Sequence, residues 1–173
     1  MIDLPYRIRA ARPEDAPALA AAAKKIAAEP GLLALRPEEL HSQDFRTKIA
    51  ALSENNRARY LVIEVKGFLA GYAILEPHPW TALQHVAFLT IAVHQDFQGR
   101  GLGRILMQDL IEWARAHPHI EKLELQVRSA NQRAIKLYES LGFAEEGRKT
   151  RRVKLATGHY LDDVYMALWV GPI

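Results

Sequence analysis

The sequence contains no cysteine among its 173 residues. Disulfide bonds, thiolate metal sites and a cysteine nucleophile are therefore excluded, and we expect no metal centre. No apolar run approaches the roughly 20 residues that cross a bilayer, so no membrane association is expected. The first seven residues lack a basic segment followed by an apolar core, so no secretory signal is predicted. Together these absences favour a cytoplasmic protein.

The chain also has little net charge, only +3 at pH 7. This value gives no general case for nucleic-acid binding, although it suits an anionic ligand. The positive charge is uneven, because the stretch from Arg148 to Lys154 holds five basic residues in seven. The stretch has two interpretations: a solvated strand face, or a contact for an acidic substrate or for phosphate groups. An RNA- or ribosome-associated role through this stretch is a further, weaker hypothesis.

The length favours one domain, which we place at residues 6–170. Strands and helices alternate along it, so the pattern indicates a mixed α/β sheet. Residues 85–93 form an almost continuous apolar run, which predicts a central strand buried on both faces. The other predicted strands are Tyr6–Arg9, Tyr60–Val65, Phe68–Leu75, Lys122–Val127, Phe143–Leu155 and Tyr160–Val170. The predicted helices begin at Pro13 and after Pro37, run from Leu102 to Ala116, and follow Asn131 up to Gly142.

A glycine-rich loop, Gln98-Gly99-Arg100-Gly101-Leu102-Gly103, joins the apolar strand to the next helix. A helix N-terminus carries backbone N–H groups without partners and a partial positive charge, which together bind phosphate. Glycine lets the backbone approach an anion closely and adopt a positive φ. Arg100 and Arg104 add charge at the same place. The sequence therefore predicts a phosphate site at this loop.

The loop has three other interpretations. A nucleoside-triphosphate loop ends in Gly-Lys-Ser/Thr, whereas this one continues Gly103-Arg104-Ile105. A dinucleotide fingerprint has another glycine spacing and stands early in its fold, whereas this loop lies late in the chain. A tight turn without a ligand is the remaining alternative. Three glycines, two arginines and a helix start favour the phosphate site over that turn.

With these residues the sequence resembles the GNAT superfamily of N-acetyltransferases. Gln98, Gly101 and Gly103 match the fixed positions of that family's acetyl-CoA loop. A second family segment is matched by Asn131, Ala134, Leu137, Tyr138, Gly142 and Phe143. The resemblance implies the GNAT fold, a mixed, mostly antiparallel central sheet flanked by helices. It also implies acetyl-CoA as co-substrate and an amine as acceptor.

The resemblance further implies where the cofactor binds. Backbone groups of Ile91, Ala92 and Val93 would bond the pantetheine arm, and amides from Arg100 to Arg104 would hold the pyrophosphate. Asn131 would face the cofactor, although asparagine is also a common helix cap. The resemblance thus implies a cofactor-binding set of Ile91, Ala92, Val93, Gln98, Gly99, Arg100, Gly101, Leu102, Gly103, Arg104, Asn131 and Tyr138.

Tyr138 matches the tyrosine that, in many members, protonates the departing CoA thiolate. Its alternative is a core aromatic on an apolar helical face. The general base is less defined, because the strand before the loop has no carboxylate, where many members carry a glutamate. His85 is the nearest titratable group, and histidine is a common general base; Glu124 is a weaker candidate. Proton loss through water, without a dedicated base, stays open.

Acceptor recognition is expected, by the same resemblance, in residues 28–43 and in the last hairpin. Tyr160, Asp162 and Asp163 are the candidate substrate-binding residues, since carboxylates suit a cationic amine; a polar strand end is the alternative. The function predicted is direct transfer of an acetyl group to a primary amine of a small molecule or peptide, in a ternary complex. The alternative is a non-catalytic acyl-CoA-binding regulatory module. Many family members dimerise, which makes a homodimer a hypothesis.

Overall fold

A computed structural model of the chain describes residues 5–29, 32 and 35–172. Seven strands and four α-helices follow one another in this described part. The strands are β1 (Tyr6–Ala10), β2 (Arg59–Val65), β3 (Phe68–Pro77), β4 (Val86–Val93), β5 (Lys122–Arg128), β6 (Ala144–Lys154) and β7 (Tyr160–Trp169). The helices are α1 (Ala16–Ala27), α2 (Ser42–Ser53), α3 (Leu102–Ala116) and α4 (Gln132–Ser140).

All seven strands form one sheet in the order β1-β2-β3-β4-β5-β7-β6. The β4–β5 pair is parallel, and the other five neighbouring pairs are antiparallel. The prediction of a mixed, mostly antiparallel sheet flanked by helices is therefore confirmed. The parallel pair, β4 and β5, is connected through the glycine loop and α3. A parallel neighbour needs such a crossover connection.

Helices cover the two faces of the sheet in different places. On one face, Leu102, Leu106 and Leu110 of α3 pack on a core built from β2, β3, β4, β5 and β7. On the other face, Leu19 of α1 and Ile49 of α2 pack on β2 and β3 residues. The alternation of side chains along each strand produces these two cores.

Two predicted helix starts are displaced by a few residues. Pro13 and Pro37 each begin a short 3₁₀ turn, after which α1 starts at Ala16 and α2 at Ser42. Proline suits the first position of such a turn, since its missing N–H has no partner there in any case. The predicted end of the first helix at Pro30 and Gly31 lies outside the described residues. Among the residues that are described, no helix is both long and apolar enough to cross a membrane.

Strands β4 and β5 pair over only three residues each. The ladder joins Val86–Phe88 to Lys122–Glu124. Beyond it the two strands diverge, which opens a gap in the sheet. The prediction that residues 85–93 are buried on both faces is therefore wrong in part: Phe88 is 38% exposed and Ile91–Val93 are only partly buried. These last residues line a cavity instead of packing against a neighbouring strand.

Candidate active site

A cavity of about 330 Å³ lies at the end of β4. Its volume falls at the lower end of the range of small-molecule sites, roughly 300–1,000 Å³. The end of β4, the glycine loop and the first turns of α3 and α4 form most of the wall. Two apolar residues, Ile26 and Leu32, close it from the α1 side. The cavity thus lies at the helix N-terminus that the sequence predicts to bind phosphate.

The backbone of the loop is arranged for an anion. Gly99 and Gly101 have φ values of 78° and 81°, the left-handed region that favours glycine. The first hydrogen bond of α3 runs from the Ile105 N–H to the Gly101 carbonyl, at 3.2 Å. The N–H groups of residues 102–104 precede this bond, so they are free of helical partners at the positive end of the helix dipole. This arrangement fits the pyrophosphate of CoA.

The strand and the helices around the loop are packed closely. The Gln98 side chain donates from Nε2 to the Val93 carbonyl, at 3.1 Å, and so closes the loop onto the end of β4. A Cβ at Gly103 would lie 3.4 Å from Leu137 Cδ2, so glycine lets α3 approach α4. A Cβ at Gly71 of β3 would lie only 2.7 Å from the Ala92 carbonyl oxygen.

Three arginines surround the loop, and each has a different role. Arg104 donates from Nη2 to Ser140 Oγ at 2.6 Å, which ties the start of α3 to the end of α4. The Arg100 guanidinium lies over the Phe97 ring at 5.8 Å and is not part of the cavity wall. Arg133 lines the cavity, with Nη2 next to the loop at Gly99.

Sequence reasoning missed Arg133. Its position in the sequence could have indicated this role. Arg133 lies in the first turn of the helix after Asn131, where a side chain can reach back to a neighbouring loop. Asn131 itself is the N-cap of α4, since its side-chain oxygen accepts the Ala134 N–H at 3.2 Å. It also lines the cavity, and the two N–H donors of its amide are not used by the cap. The cap and the predicted cofactor contact are therefore compatible.

Tyr138 lines the same cavity from α4 and is 7% exposed. Its ring packs against Phe143, with the ring centroids 6.1 Å apart. Burial raises the pKa of the Tyr138 hydroxyl to about 12, because the charged phenolate would lose its hydration. The hydroxyl is therefore protonated throughout the neutral range, which is the form that can donate a proton.

His85 lies in the turn before β4, at the opposite end of the strand from the glycine loop. Six residues separate it from Ile91, which corresponds to about 20 Å at roughly 3.3 Å per residue. Its carbonyl accepts the N–H groups of Glu121 and Lys122, at 2.9 and 3.1 Å. The structure does not bring His85 to the cavity, and its geometry does not support a role as base.

Glu124 lies closer to the gap, in the last residue pair that joins β4 to β5, opposite Phe88. Its carboxylate contacts Lys122 Nζ at 3.0 Å. Lys122 also donates to Glu146 at 2.8 Å, and these partners raise the pKa of the lysine. Glu124 therefore belongs to a partly exposed ion-pair group at the apex of the gap.

The three predicted substrate residues lie on β7 and do not line the cavity. Tyr160 is 50% exposed, with Lys154 Nζ 5.6 Å from its ring centroid. The Asp162 carboxylate accepts the Arg151 N–H at 2.8 Å. Asp163 points to the opposite face of the sheet, because successive strand residues alternate.

Asp163 is 1% exposed and holds a cluster of donors. Its carboxylate accepts hydrogen bonds from Arg128 and Gln126 on β5. Arg152 Nε lies 3.9 Å from Asp163 Oδ2. A buried carboxylate is tolerated only when it is paired, and the Arg128 guanidinium supplies the pair. The chain thus uses Asp163 to fix two β5 side chains on the face opposite α3 and α4.

Within residues 5–29, 32 and 35–172, no group of three or more His, Asp or Glu side chains could hold a metal ion. The site instead offers an anion-binding helix start, an apolar wall and a protonated phenol. That combination fits a long anionic thioester whose reactive end lies away from its phosphates.

Comparison with known sequences agrees with this site. A sequence model of the Acetyltransferase (GNAT) family matches residues 18–143. The [ribosomal protein bS18]-alanine N-acetyltransferase of Salmonella typhimurium is 38% identical over 116 residues, covering 66% of this chain and 74% of that protein. The L-amino acid N-acetyltransferase AaaT of Escherichia coli is 30% identical over 116 residues, covering 67% and 71%.

Solved structures share the same fold. A GNAT-family acetyltransferase from Streptococcus pneumoniae superposes with a TM-score of 0.88 at 26% identity, covering 95% of this chain and 99% of that one. A phosphinothricin acetyltransferase from Sinorhizobium meliloti, solved in complex with acetyl-CoA, gives 0.86 at 18% identity, covering 96% and 89%, which shows the fold alone. The chain belongs to the GNAT family of acetyltransferases. It is an N-acetyltransferase that uses acetyl-CoA as its acetyl donor, as the sequence predicts.

Proposed function

We propose that this enzyme transfers the acetyl group of acetyl-CoA directly to a primary amine, with both substrates bound at once. One observation carries the proposal: the anion-binding loop and Tyr138 line a single cavity beside the gap between β4 and β5. The loop would hold the phosphates, the end of β4 would orient the pantetheine arm, and Tyr138 would lie by the sulfur. No covalent enzyme intermediate is required, since the amine is itself the nucleophile.

The roles of the residues follow from the bonds that change. The amine nitrogen attacks the acetyl carbonyl carbon and loses a proton, the carbon–sulfur bond breaks, and the sulfur leaves as a thiolate. Tyr138 gives that sulfur its hydroxyl proton and later regains one from solvent. A pKa of about 12 keeps the tyrosine fully protonated when the thiolate forms, so the proton is present to be given. Backbone N–H donors near the thioester oxygen would stabilise the developing negative charge.

The amine proton, in this proposal, leaves to water at the gap. The distance of His85 from the cavity argues against that residue. Glu124 is nearer, but its carboxylate is in an ion pair with Lys122. A water route also fits an amine that binds in its deprotonated form. The rate at neutral pH then depends on the fraction of the amine that is deprotonated.

The names of the relatives support an α-amine as acceptor. One is named for an alanine of a ribosomal protein and another for L-amino acids. In both names the amine is attached to the α-carbon of an amino-acid residue. We therefore propose an amino acid or a peptide N-terminus rather than a lysine side chain.

The test is a panel of primary amines assayed by release of CoA thiol, with Tyr138→Phe as the variant. We expect Tyr138→Phe to lower kcat at least tenfold, since a placed acid contributes roughly 10²–10⁴-fold. The acetyl-CoA Kd, measured by calorimetry, should stay within twofold. Tyr6→Phe, at a tyrosine 45% exposed on β1, is the matched control and should leave kcat unchanged. An unchanged kcat in Tyr138→Phe would remove the tyrosine from the mechanism.

Three further measurements test the rest of the proposal. Initial-rate lines that intersect, when both substrates are varied, would support a ternary complex, and parallel lines would contradict it. A cytoplasmic location, which the need for acetyl-CoA supports, is tested by cell fractionation. The homodimer stays a prediction that light scattering can check.

A further inference from the structure

On the open face of the β5–β7–β6 side of the sheet, an excess of positive charge lies near the end of β5, whereas Lys122, Glu124 and Glu146 near its start hold one more negative than positive charge. In antiparallel neighbours, residues directly opposite each other lie on the same face. Arg128 is opposite Asp163 across β5 and β7, and Asp163 is opposite Lys149 across β7 and β6. Arg152 reaches the same carboxylate from β6. We call Arg128, Lys149, Arg152 and Asp163 the basic row.

The basic row holds three cations and one carboxylate, which leaves an excess of two positive charges. The single carboxylate is paired with Arg128, whose side chain is 10% exposed. Arg152 is 61% exposed and only 3.9 Å from a carboxylate that is already paired. Lys149 has no carboxylate within 4.0 Å in the described part of the chain; its Nζ lies 4.7 Å from the Tyr165 ring centroid instead. The unbalanced charges are therefore those of Lys149 and Arg152.

The row begins at the edge of the gap, where the proposed function places the acceptor. Arg128 is the last residue of β5, four residues beyond the pair at which β4 and β5 separate. α1 and α2 cover the β2–β3 part of this face. Next to the row, β6 is the last strand of the sheet, with ten of its eleven residues exposed. A ligand that extends from the gap across β5 and β7 would lie over the row.

We propose that the acceptor is a peptide N-terminus with acidic residues close behind its amine. This inference rests on the proposed function and names the acceptor class for the same site. The length scale supports a peptide over a free amino acid. Lys149 lies two strand spacings from β5, about 10 Å, which an extended chain covers in about three residues. The carboxylate of a free amino acid lies next to its amine and would meet only Arg128, whose charge Asp163 already balances. Carboxylates at positions 2 to 4 of the peptide would meet Lys149 and Arg152.

The experiment compares three peptides that begin with alanine and differ only at positions 2–4, which are Glu, Gln or Lys. We expect kcat/KM for the Glu peptide to exceed that for the Gln peptide at least tenfold in about 20 mM salt. The ratio should fall below about threefold in 0.5 M salt, because exposed charges are screened there. The Lys peptide should be the poorest acceptor.

The double variant Lys149→Gln/Arg152→Gln tests whether this row is responsible. It should reduce the Glu-to-Gln ratio to near one, and the ratio, not the absolute rate, is the readout. Lys66→Gln/Arg115→Gln removes two charges from the β2–β3 turn and from the end of α3. This matched control should keep the ratio of the native protein.

Three results would overturn the inference. The first is an equal kcat/KM for the Glu and Gln peptides, and the second is a ratio that persists in the Lys149→Gln/Arg152→Gln variant. The third is a single-stranded RNA oligonucleotide that binds the native protein but not the double variant, while the peptides react equally; the row would then serve nucleic acid. Failure of the proposed function looks different, because no peptide and no short amine would release CoA thiol.

Discussion

Gly71 offers a test of the cofactor site from a residue that does not line it. Gly71 is opposite Val93 in the β3–β4 ladder, and a Cβ there would lie 2.7 Å from the Ala92 carbonyl oxygen. An ordinary contact begins at 3.4 Å, so the Gly71→Ala substitution must displace the Ala92 backbone by about 0.7 Å, which is 3.4 minus 2.7. Backbone atoms in the middle of a sheet cannot rotate away as a flexible side chain can.

Two effects of Gly71→Ala are expected, and each has its own assay. Overpacking of a well-packed site costs about 1–3 kcal/mol, so urea unfolding should show a loss of that size. The displaced carbonyl belongs to the β4 segment that we expect to bind pantetheine. A backbone hydrogen bond to pantetheine that can no longer form costs about 1–3 kcal/mol, and about 1.4 kcal/mol is a factor of ten, so we expect the acetyl-CoA Kd to rise about tenfold in calorimetry.

Gly147→Ala is the matched control for this prediction. Gly147 also lies in a strand, β6, and an added Cβ there has no atom within 4 Å among the described residues. Its stability and acetyl-CoA affinity should stay within experimental error of the native protein. If Gly71→Ala behaves like Gly147→Ala in both assays, the close contact with Ala92 and the role of the β4 backbone are refuted together.

Two other predictions concern stability. Asp163→Asn should destabilise the fold by about 3–5 kcal/mol in urea unfolding, because it leaves the Arg128 guanidinium buried without its charge partner; Asp162→Asn, at a side chain that is 29% exposed, should cost about 1 kcal/mol or less, and equal losses would contradict this account. Burial raises the pKa of Tyr72 to about 12 from an unfolded value of 10, so its contribution to stability is complete below pH 10 and is lost as the pH rises to 12. The loss amounts to about 3 kcal/mol, and Tyr72→Phe should make the fall in unfolding free energy between pH 10 and 12 shallower by that amount.

Local patterns in the sequence predict a large part of the fold and of the cofactor loop. The hairpin of β2 and β3 follows from two apolar runs around Lys66 and Gly67, and both turn residues have a positive φ in the structure. The loop before α3 follows from its glycines and from the helix that it precedes. These features depend on residues that are neighbours in the chain, which is why sequence reasoning reaches them.

Features that depend on distant residues were missed. The divergence of β4 from β5 is set by pairing between segments more than 30 residues apart, so the apolar run at 85–93 looked like an ordinary central strand. His85 is a different case, because its position at the start of the strand, six residues before Ile91, already implies a distance of about 20 Å from the loop. The sequence predicts that Asp163 binds the substrate, with a polar strand end as the alternative, because its burial depends on Arg128, 35 residues earlier.

The short ladder between β4 and β5 also links the stability of the fold to the binding of acetyl-CoA. Only three residue pairs join the two halves of the sheet directly, so a cofactor lying in the gap would act as the missing strand between them. A ligand that binds only the folded state stabilises it by RT ln(1 + [L]/Kd), which is about 2.7 kcal/mol at a concentration of 100 Kd. The lifetime of this enzyme against proteolysis would then follow the acetyl-CoA level, so that a starved cell would lose the enzyme as well as its substrate.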